Sequence, residues 1–275
     1  MPDRLKRYRL HRCAVLLALL VFLLIATGAA LTSVIHPLPG APSATKMNAP
    51  IESAAQLERL HIYLAGIVAV LALPLAFLAA GKARLAAWLA VGLVIVNAWL
   101  GIYSGAHMLS PVAGVFHALL APLLFSTAVA MAVFTSKSWQ SPPVPAENHW
   151  PPLRKLAIWT PILLVMQIAL GAAFRHDAMG VVWHIINAMI VLLLVLVLGI
   201  CVLRLYPKNP ALRPAALTLL IVTGVQVLLG FGVYITLLMV SENNLALMTA
   251  GAIHVVTGSL TLAAGIILTM QISRL

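Results

Sequence analysis

Eight long apolar stretches alternate with short polar or proline-containing segments along the chain. The stretches lie near residues 13–35, 59–81, 84–105, 112–135, 153–174, 179–205, 212–240 and 246–271. An α-helix needs on the order of 20 apolar residues to cross a bilayer, and each stretch is about that long or longer. Prolines cluster after the first stretch and before the fifth and seventh, as is typical of boundaries between helices. The pattern predicts an all-α integral membrane protein with eight transmembrane helices.

The first stretch follows five basic residues, an arrangement that also occurs in signal peptides, with 26–30 as the cleavage zone. Its apolar run is longer than the central region of a typical signal peptide. We therefore expect an uncleaved first helix.

Composition supports the membrane assignment and excludes a soluble domain. Of the 275 residues, 63% are hydrophobic and 8% are charged. A net charge of +11 could indicate nucleic-acid binding, but the cations lie in short gaps between apolar stretches. If the N-terminus is inside, 14 of the 17 lysines and arginines fall on the inner side, as the positive-inside rule requires. We expect both termini in the cytoplasm, no nucleic-acid partner, and reduced thiols at Cys13 and Cys201.

A short motif recurs in the third, fifth and seventh helices, with an amide residue four positions before a glycine. The three copies are Asn97 to Gly101, Gln167 to Gly171 and Gln226 to Gly230; the first helix keeps only a weak echo, Thr27-Gly28. Small residues in apolar helices also serve close packing. Because each copy precedes a histidine-bearing helix, we interpret the chain as a duplicated four-helix bundle. The expected division is an N-terminal bundle over 1–137, a cytoplasmic linker over 138–152 and a C-terminal bundle over 153–275.

Each even-numbered helix carries one histidine close to its start: His61, His117, His184 and His254. These helices all run from outside to inside, so the four imidazoles should lie at similar depth in the outer half of the membrane. A single histidine in an apolar helix is usually a packing or hydrogen-bonding residue. Four at matched depth on repeated helices indicate function, because polar groups buried in a membrane are costly.

Haem iron fits this pattern better than zinc or copper. Imidazole is a common axial ligand of haem iron, and facing histidines of a helix bundle can hold the group. Zinc or copper would need a set of further thiolate or carboxylate ligands, and no such set accompanies the histidines. The expected pairs of iron ligands are His61 with His117 and His184 with His254, one pair per half.

Other polar residues give weaker signals. Arg175 and His176 precede His184 and could meet haem propionates at the outer surface, and Arg59 could do so beside His61; lipid headgroups or solvent are equally plausible contacts. Solvation is the default expectation for the histidines outside the two pairs: His11, His36, His107, His149 and His176.

Glu58 distinguishes the first half from the second. It lies three residues before His61 and so on the same helix face. A glutamate near a helix start is commonly stabilised by the helix dipole. The other three histidines have no acid at the equivalent position, where the residues are Gly114, Val181 and Gly251. A carboxylate beside an iron site can exchange protons, so we expect a reacting site in the first half and an electron-transfer haem in the second.

With Glu58-Arg59-Leu60-His61, one histidine on each even-numbered helix and a duplicated bundle, the chain resembles the haem A synthases of bacteria and mitochondria over essentially its full length. The resemblance implies oxidation of the C8 methyl of haem O to the formyl group of haem A. It further implies a catalytic Glu58, substrate haem flanked by His61 and His117, and haem b ligated by His184 and His254. A bacterial cytoplasmic membrane, haem O synthase and a terminal oxidase as partners, and a homo-oligomer would be consistent with it. The electron donor is not indicated.

The chain departs from the family pattern around the first half. No cysteine lies between His36 and Glu58, Thr32 to Pro37 replaces the usual signature, and Ile62 stands where an arginine is common. Two alternatives to a synthase therefore stay open. One is a di-haem b electron-transfer or quinol-linked cytochrome, and the other is a haem-binding oxidase assembly factor without turnover.

Overall fold

The computed structural model describes residues 2–35, 51–106, 111–140, 152–239 and 245–275. Within these ranges the chain forms nine α-helices. They are α1 Pro2–Ile35, α2 Ile51–Leu78, α3 Gly81–Ala106, α4 Pro111–Thr135, α5 Lys137–Gln140, α6 Leu153–Arg175, α7 Val181–Leu205, α8 Leu212–Met239 and α9 Leu245–Ile272. All except the four-residue α5 are long and apolar enough to cross a membrane. The prediction of an all-α protein with eight transmembrane helices is confirmed.

Two helices begin earlier than the apolar pattern predicts. α1 begins at Pro2 and α2 at Ile51, instead of near residues 13 and 59, and both extend through polar residues. A helix satisfies its own backbone hydrogen bonds, so it can continue beyond the apolar core of a membrane into polar sequence. The other boundaries of the eight long helices lie within three residues of the expected positions. The short α5 was not expected.

The eight long helices form two closed bundles of four helices each. In the first half, α1 packs against α2 and α4, and α3 packs against α2 and α4. In the second half, α6 packs against α7 and α9, and α8 packs against α7 and α9. Each bundle has its own buried hydrophobic core. The first core contains Leu17, Val68 and Met131, and the second contains Val195, Leu219 and Leu268. This is the arrangement of a duplicated four-helix bundle.

The two halves meet through α1, α4, α6 and α9. α9 packs against both α1 and α4, and α4 also packs against α6. Ala263 of α9 belongs to the buried cluster of the first half. The peripheral helices α2, α3, α7 and α8, which lie away from the contact between the halves, carry large exposed apolar side chains, as helices facing lipid do. The two bundles therefore share a central wall of four helices.

One end of the molecule is held together around Trp139. Lys82, at the start of α3, and Arg274, after α9, both lie over its ring, at 5.9 and 4.8 Å from the centroid. Arg274 also donates from Nη1 to the Ser138 carbonyl at 3.0 Å. These residues all belong to the side that the charge distribution predicts to be cytoplasmic. That orientation stays a prediction. The linker also stays a prediction, because residues 141–151 lie outside the described residues. His36, His107 and His149 lie outside them as well.

Candidate functional site

Each of the four histidines rests on a glycine of the preceding long helix, which is α1, α3, α6 or α8. A methyl group built on the glycine would lie 2.8, 3.2, 2.9 and 2.8 Å from Cε1 of the facing imidazole in the four cases. The contacts are Gly28 with His61, Gly101 with His117, Gly171 with His184 and Gly230 with His254. Because a methyl group would crowd the ring at Gly101 and overlap it at the other three positions, glycine is what lets each imidazole approach the neighbouring backbone so closely.

Three of the imidazoles are also hydrogen-bonded to that neighbouring backbone. Nδ1 of His61, His117 and His184 donates to a carbonyl oxygen at 3.1 Å in each case. The acceptors are the carbonyls of Leu24, Asn97 and Gln167, each four residues before the glycine. In an α-helix that carbonyl already accepts from the glycine N–H, and its second lone pair is free for the imidazole.

This contact explains the repeated motif that the sequence shows. In all three bonds the acceptor is the backbone carbonyl four residues before a glycine. The amide side chain of the motif is not needed for this bond, since the acceptor in α1 is the carbonyl of Leu24. The first helix is therefore a full copy of the repeat and not the weak echo that its sequence suggests. Thr27 adds a contact of its own, with Oγ1 at 3.3 Å from Nδ1 of His61.

The bond at Nδ1 decides which ring nitrogen can bind a metal. A carbonyl can only accept, so Nδ1 must carry the proton and Nε2 must carry the lone pair. Histidine ligands of metals almost always donate their other ring N–H in this way. His254 differs: its Nδ1 is buried without a hydrogen-bond partner in the described part of the chain.

The histidines meet in the two expected pairs. The ring centres of His61 and His117 are 6.3 Å apart, and those of His184 and His254 are 6.2 Å apart. Within each pair the ring planes are steeply inclined, at 64° and 76°. Each pair lies between the two histidine-bearing helices of one half, α2 and α4 or α7 and α9, and a glycine backs each ring.

The spacing of each pair would let both imidazoles bind one haem iron. Two metal–imidazole bonds of about 2 Å, plus roughly 1 Å from each nitrogen to its ring centre, would place the centres about 6 Å apart. The four rings are also half-buried among apolar helices. Among the described residues no group of three or more histidine, cysteine or acidic side chains could hold a metal ion, so each pair offers two ligands only. Two imidazoles suit a metal whose remaining positions are filled by a macrocycle.

Amide side chains surround the second pair. Gln167 Nε2 is 3.2 Å from Nε2 of His184 and donates to the His184 carbonyl at 3.0 Å. Asn187 Nδ2 donates to Gln167 Oε1 at 2.7 Å. Gln226 Nε2 lies 3.3 Å from Nε2 of His254. These amides lie beside the ring nitrogens that a metal would use.

Sequence reasoning missed Asn187, although its position could have revealed it. It lies three residues after His184, on the same helix face, and it is buried. The equivalent positions after His61 and His117 are Leu64 and Leu120. A polar residue on this face therefore marks the second half.

Glu58 lies on α2 about one turn before His61, and its side chain is exposed. Arg59 is exposed too, and its Nε donates to the Ala55 carbonyl of the same helix at 3.2 Å. The structure thus places both residues near the N-terminal end of α2. It shows neither in contact with the imidazole of His61.

Arg175 and His176 lie against the first half, although they belong to the second. Arg175 Nη2 donates to the Thr32 carbonyl near the end of α1 at 2.9 Å. The His176 ring rests on Gly114 of α4, with Nδ1 2.5 Å from where a methyl group on that glycine would lie. The expectation that His176 is an ordinary solvated residue is wrong, since its ring is half-buried between the two halves.

No protein-family model matches the chain, and no characterised protein shows significant sequence similarity to it.

Proposed function

We propose that the protein is a haem-binding oxidoreductase of the haem A synthase type, in which the first half binds haem O as substrate and the second half binds haem b. The observation that carries the proposal is the pair of matched histidine sites. Each has ring centres 6.2 to 6.3 Å apart. In three of the four rings, Nδ1 is bonded to a backbone carbonyl so that Nε2 is left for a metal.

In the first half, His61 and His117 would hold the substrate by its iron. Gly28 and Gly101 fix the position of the two rings, and the carbonyls of Leu24 and Asn97 fix their tautomer. The surrounding apolar helices would bury the body of the macrocycle and exclude water. Because the rings are held by backbone atoms, their orientation does not depend on mobile side chains.

Glu58 would handle protons at this site. Conversion of a methyl to a formyl group with water as the oxygen source releases four protons and four electrons, and a carboxylate near the reacting carbon can accept the protons. The electrons would leave to an acceptor outside the protein. Its exposure at the outer end of α2 would let it pass those protons on to water. The second half has no acid at the equivalent position, which suits a site that only transfers electrons.

In the second half, His184 and His254 would hold haem b, which supplies one-electron redox chemistry when bound. The chain's own contribution is to orient the two imidazoles and to place the amides of Gln167, Asn187 and Gln226 around them. Hydrogen bonds near an axial ligand tune the potential of a haem. From this proposed function we expect three partners, the lipid bilayer, a haem O synthase and a terminal oxidase. The proposed location is the bacterial cytoplasmic membrane.

The haem content of the purified protein tests the proposal. Haems extracted in acid and separated by chromatography should include haem O or haem A together with haem B. Haem B alone would contradict a synthase, and the absence of any haem from folded protein would contradict haem binding altogether.

The near-identity of the two pairs favours a second candidate, a di-haem b electron carrier or quinol-linked cytochrome. Both halves present two imidazoles at the same spacing, and this would suit two equal cofactors. In that case the protein would contain two haem B per chain, and Glu58 would have no role in turnover.

A further inference from the structure

The turn between α6 and α7 crosses from the second half onto the outer end of the first. Arg175, the last residue of α6, donates from Nη2 to the Thr32 carbonyl of α1 at 2.9 Å. Thr32 lies one helical turn outward of Gly28, on which His61 rests, and its Oγ1 donates to the Gly28 carbonyl at 2.9 Å. Arg175 is therefore anchored about one turn, or roughly 5 Å, beyond the seat of His61.

The next residue makes the equivalent contact on the other side of the same site. The ring of His176 rests on Gly114, and Gly114 lies three residues outward of His117 on α4. Gly114 is buried, so the ring is inserted between helices and does not lie on the surface. His176 is thus about one turn beyond His117, as Arg175 is about one turn beyond the seat of His61.

The backbone of the turn is ordered by its own hydrogen bonds. The His176 N–H donates to the Ala172 carbonyl at 3.0 Å, and the Asp177 N–H donates to the Phe174 carbonyl at 3.2 Å. Asp177 adopts a positive φ of 57°, which aspartate tolerates better than most residues. Its carboxylate is exposed to solvent, where water and salt weaken its field. The two preceding residues are half-buried and face the first half.

We propose that Arg175 and His176 bind the carboxylate groups of the ligand that the first half holds between His61 and His117. The inference rests on the proposed function, since the ligand class is a carboxylate-bearing tetrapyrrole. Its apolar body suits the buried pair, and its carboxylates require hydrogen-bond donors at the polar edge. A guanidinium and an imidazole at the outer edge supply those donors, and charge-assisted bonds of this kind are strong. The second half thereby completes the substrate site of the first and selects ligands that carry free carboxylates.

The test uses full-length protein carrying His184→Ala and His254→Ala, so that haem binds only to the first half. It is titrated with haemin and with haemin dimethyl ester, whose carboxylates are blocked. Arg175→Gln should weaken haemin binding tenfold or more and leave the ester almost unchanged, and Arg175→Lys should restore part of the loss. Arg154→Gln, at the opposite and exposed end of the same helix, should change neither affinity.

A second variant leaves both proposed contact residues intact. Gly114→Ala must push the His176 ring aside, because the added methyl would lie 2.5 Å from Nδ1. It should reproduce the loss seen with His176→Ala, several-fold for haemin and little for the ester. Gly92→Ala in α3 is the matched control, since no side chain lies within 4 Å of its added methyl.

The outcomes separate this proposal from the one on which it rests. If the first half binds haemin through His61 and His117 but Arg175→Gln weakens haemin and ester equally, the carboxylate role is overturned while the haem site stands. If Arg175→Gln in otherwise unsubstituted protein removes the haem of the second half, the assignment to the first half is overturned. If the folded first half binds no haemin at all, the proposed function fails and this inference fails with it.

Discussion

Gly28 lies so close to His61 that a methyl group at residue 28 would be 2.8 Å from Cε1 of the imidazole. The same contact recurs between Gly171 and His184, at 2.9 Å. In both halves the carbonyl that accepts from Nδ1 belongs to the residue four positions before the glycine. Because the glycine has no side chain, the imidazole can come close enough to bond that carbonyl.

Alanine at either glycine should therefore remove ligation in its own half only. We expect Gly28→Ala to abolish the haem spectrum of the first half and Gly171→Ala that of the second, because each methyl displaces a ligand ring. Optical spectra of the reduced proteins measure both. Gly66→Ala and Gly224→Ala are the controls, since their added methyl groups would meet no side chain and no other helix within 4 Å. Loss of both haems from either variant would mean that the halves are not independent.

His184→Ala or His254→Ala should eliminate a low-spin haem b signal, whereas His61→Ala should spare it. The reason is that each pair lies within one half, with ring centres 6.2 or 6.3 Å apart. Electron paramagnetic resonance of the oxidised protein distinguishes the low-spin species. Equal losses in all three variants would contradict two separate sites.

Glu58→Ala should leave the haem b content unchanged and abolish formation of haem A. The side chain is exposed and one turn outward of His61, so its removal leaves packing intact while removing the proton acceptor. Haem A is measured by chromatography of extracts from cells that depend on the variant. Gln56→Ala, also exposed on α2 but on a different face, should make haem A normally. Normal haem A with Glu58→Ala would show that the carboxylate is not needed.

Asn187→Leu should destabilise the second half by about 1 kcal/mol, the typical worth of a side-chain hydrogen bond between membrane helices. It removes the 2.7 Å bond to Gln167 Oε1 and the 3.2 Å bond to the Leu163 carbonyl. Thermal unfolding in detergent, followed by loss of the haem b spectrum, measures the change. Ile190→Leu, exposed on the same helix, should have no such effect. An unchanged midpoint for Asn187→Leu would mean that the amide network contributes no stability.

The local sequence predicts the spans well because a membrane imposes a simple rule. Each helix must be apolar over the bilayer thickness, so composition alone predicts where it begins and ends. The rule fails at the starts of α1 and α2, where the helices continue through polar residues such as Arg7 and Glu58. There, backbone hydrogen bonding and not lipid determines where the helix begins.

By itself, the sequence determined the eight spans, the matched depth of the four histidines and the residue, Glu58, that distinguishes one half. Length, polarity and alternating crossings are sufficient for that. Only the tertiary structure decided that a glycine backs all four rings and a carbonyl bonds three of them, and that Arg175 and His176 lie on the half to which they do not belong in sequence. Those contacts depend on how α6 packs against α4 and how its terminal turn meets α1. Packing between distant helices is set by the shapes of whole surfaces and leaves no periodic trace in the chain.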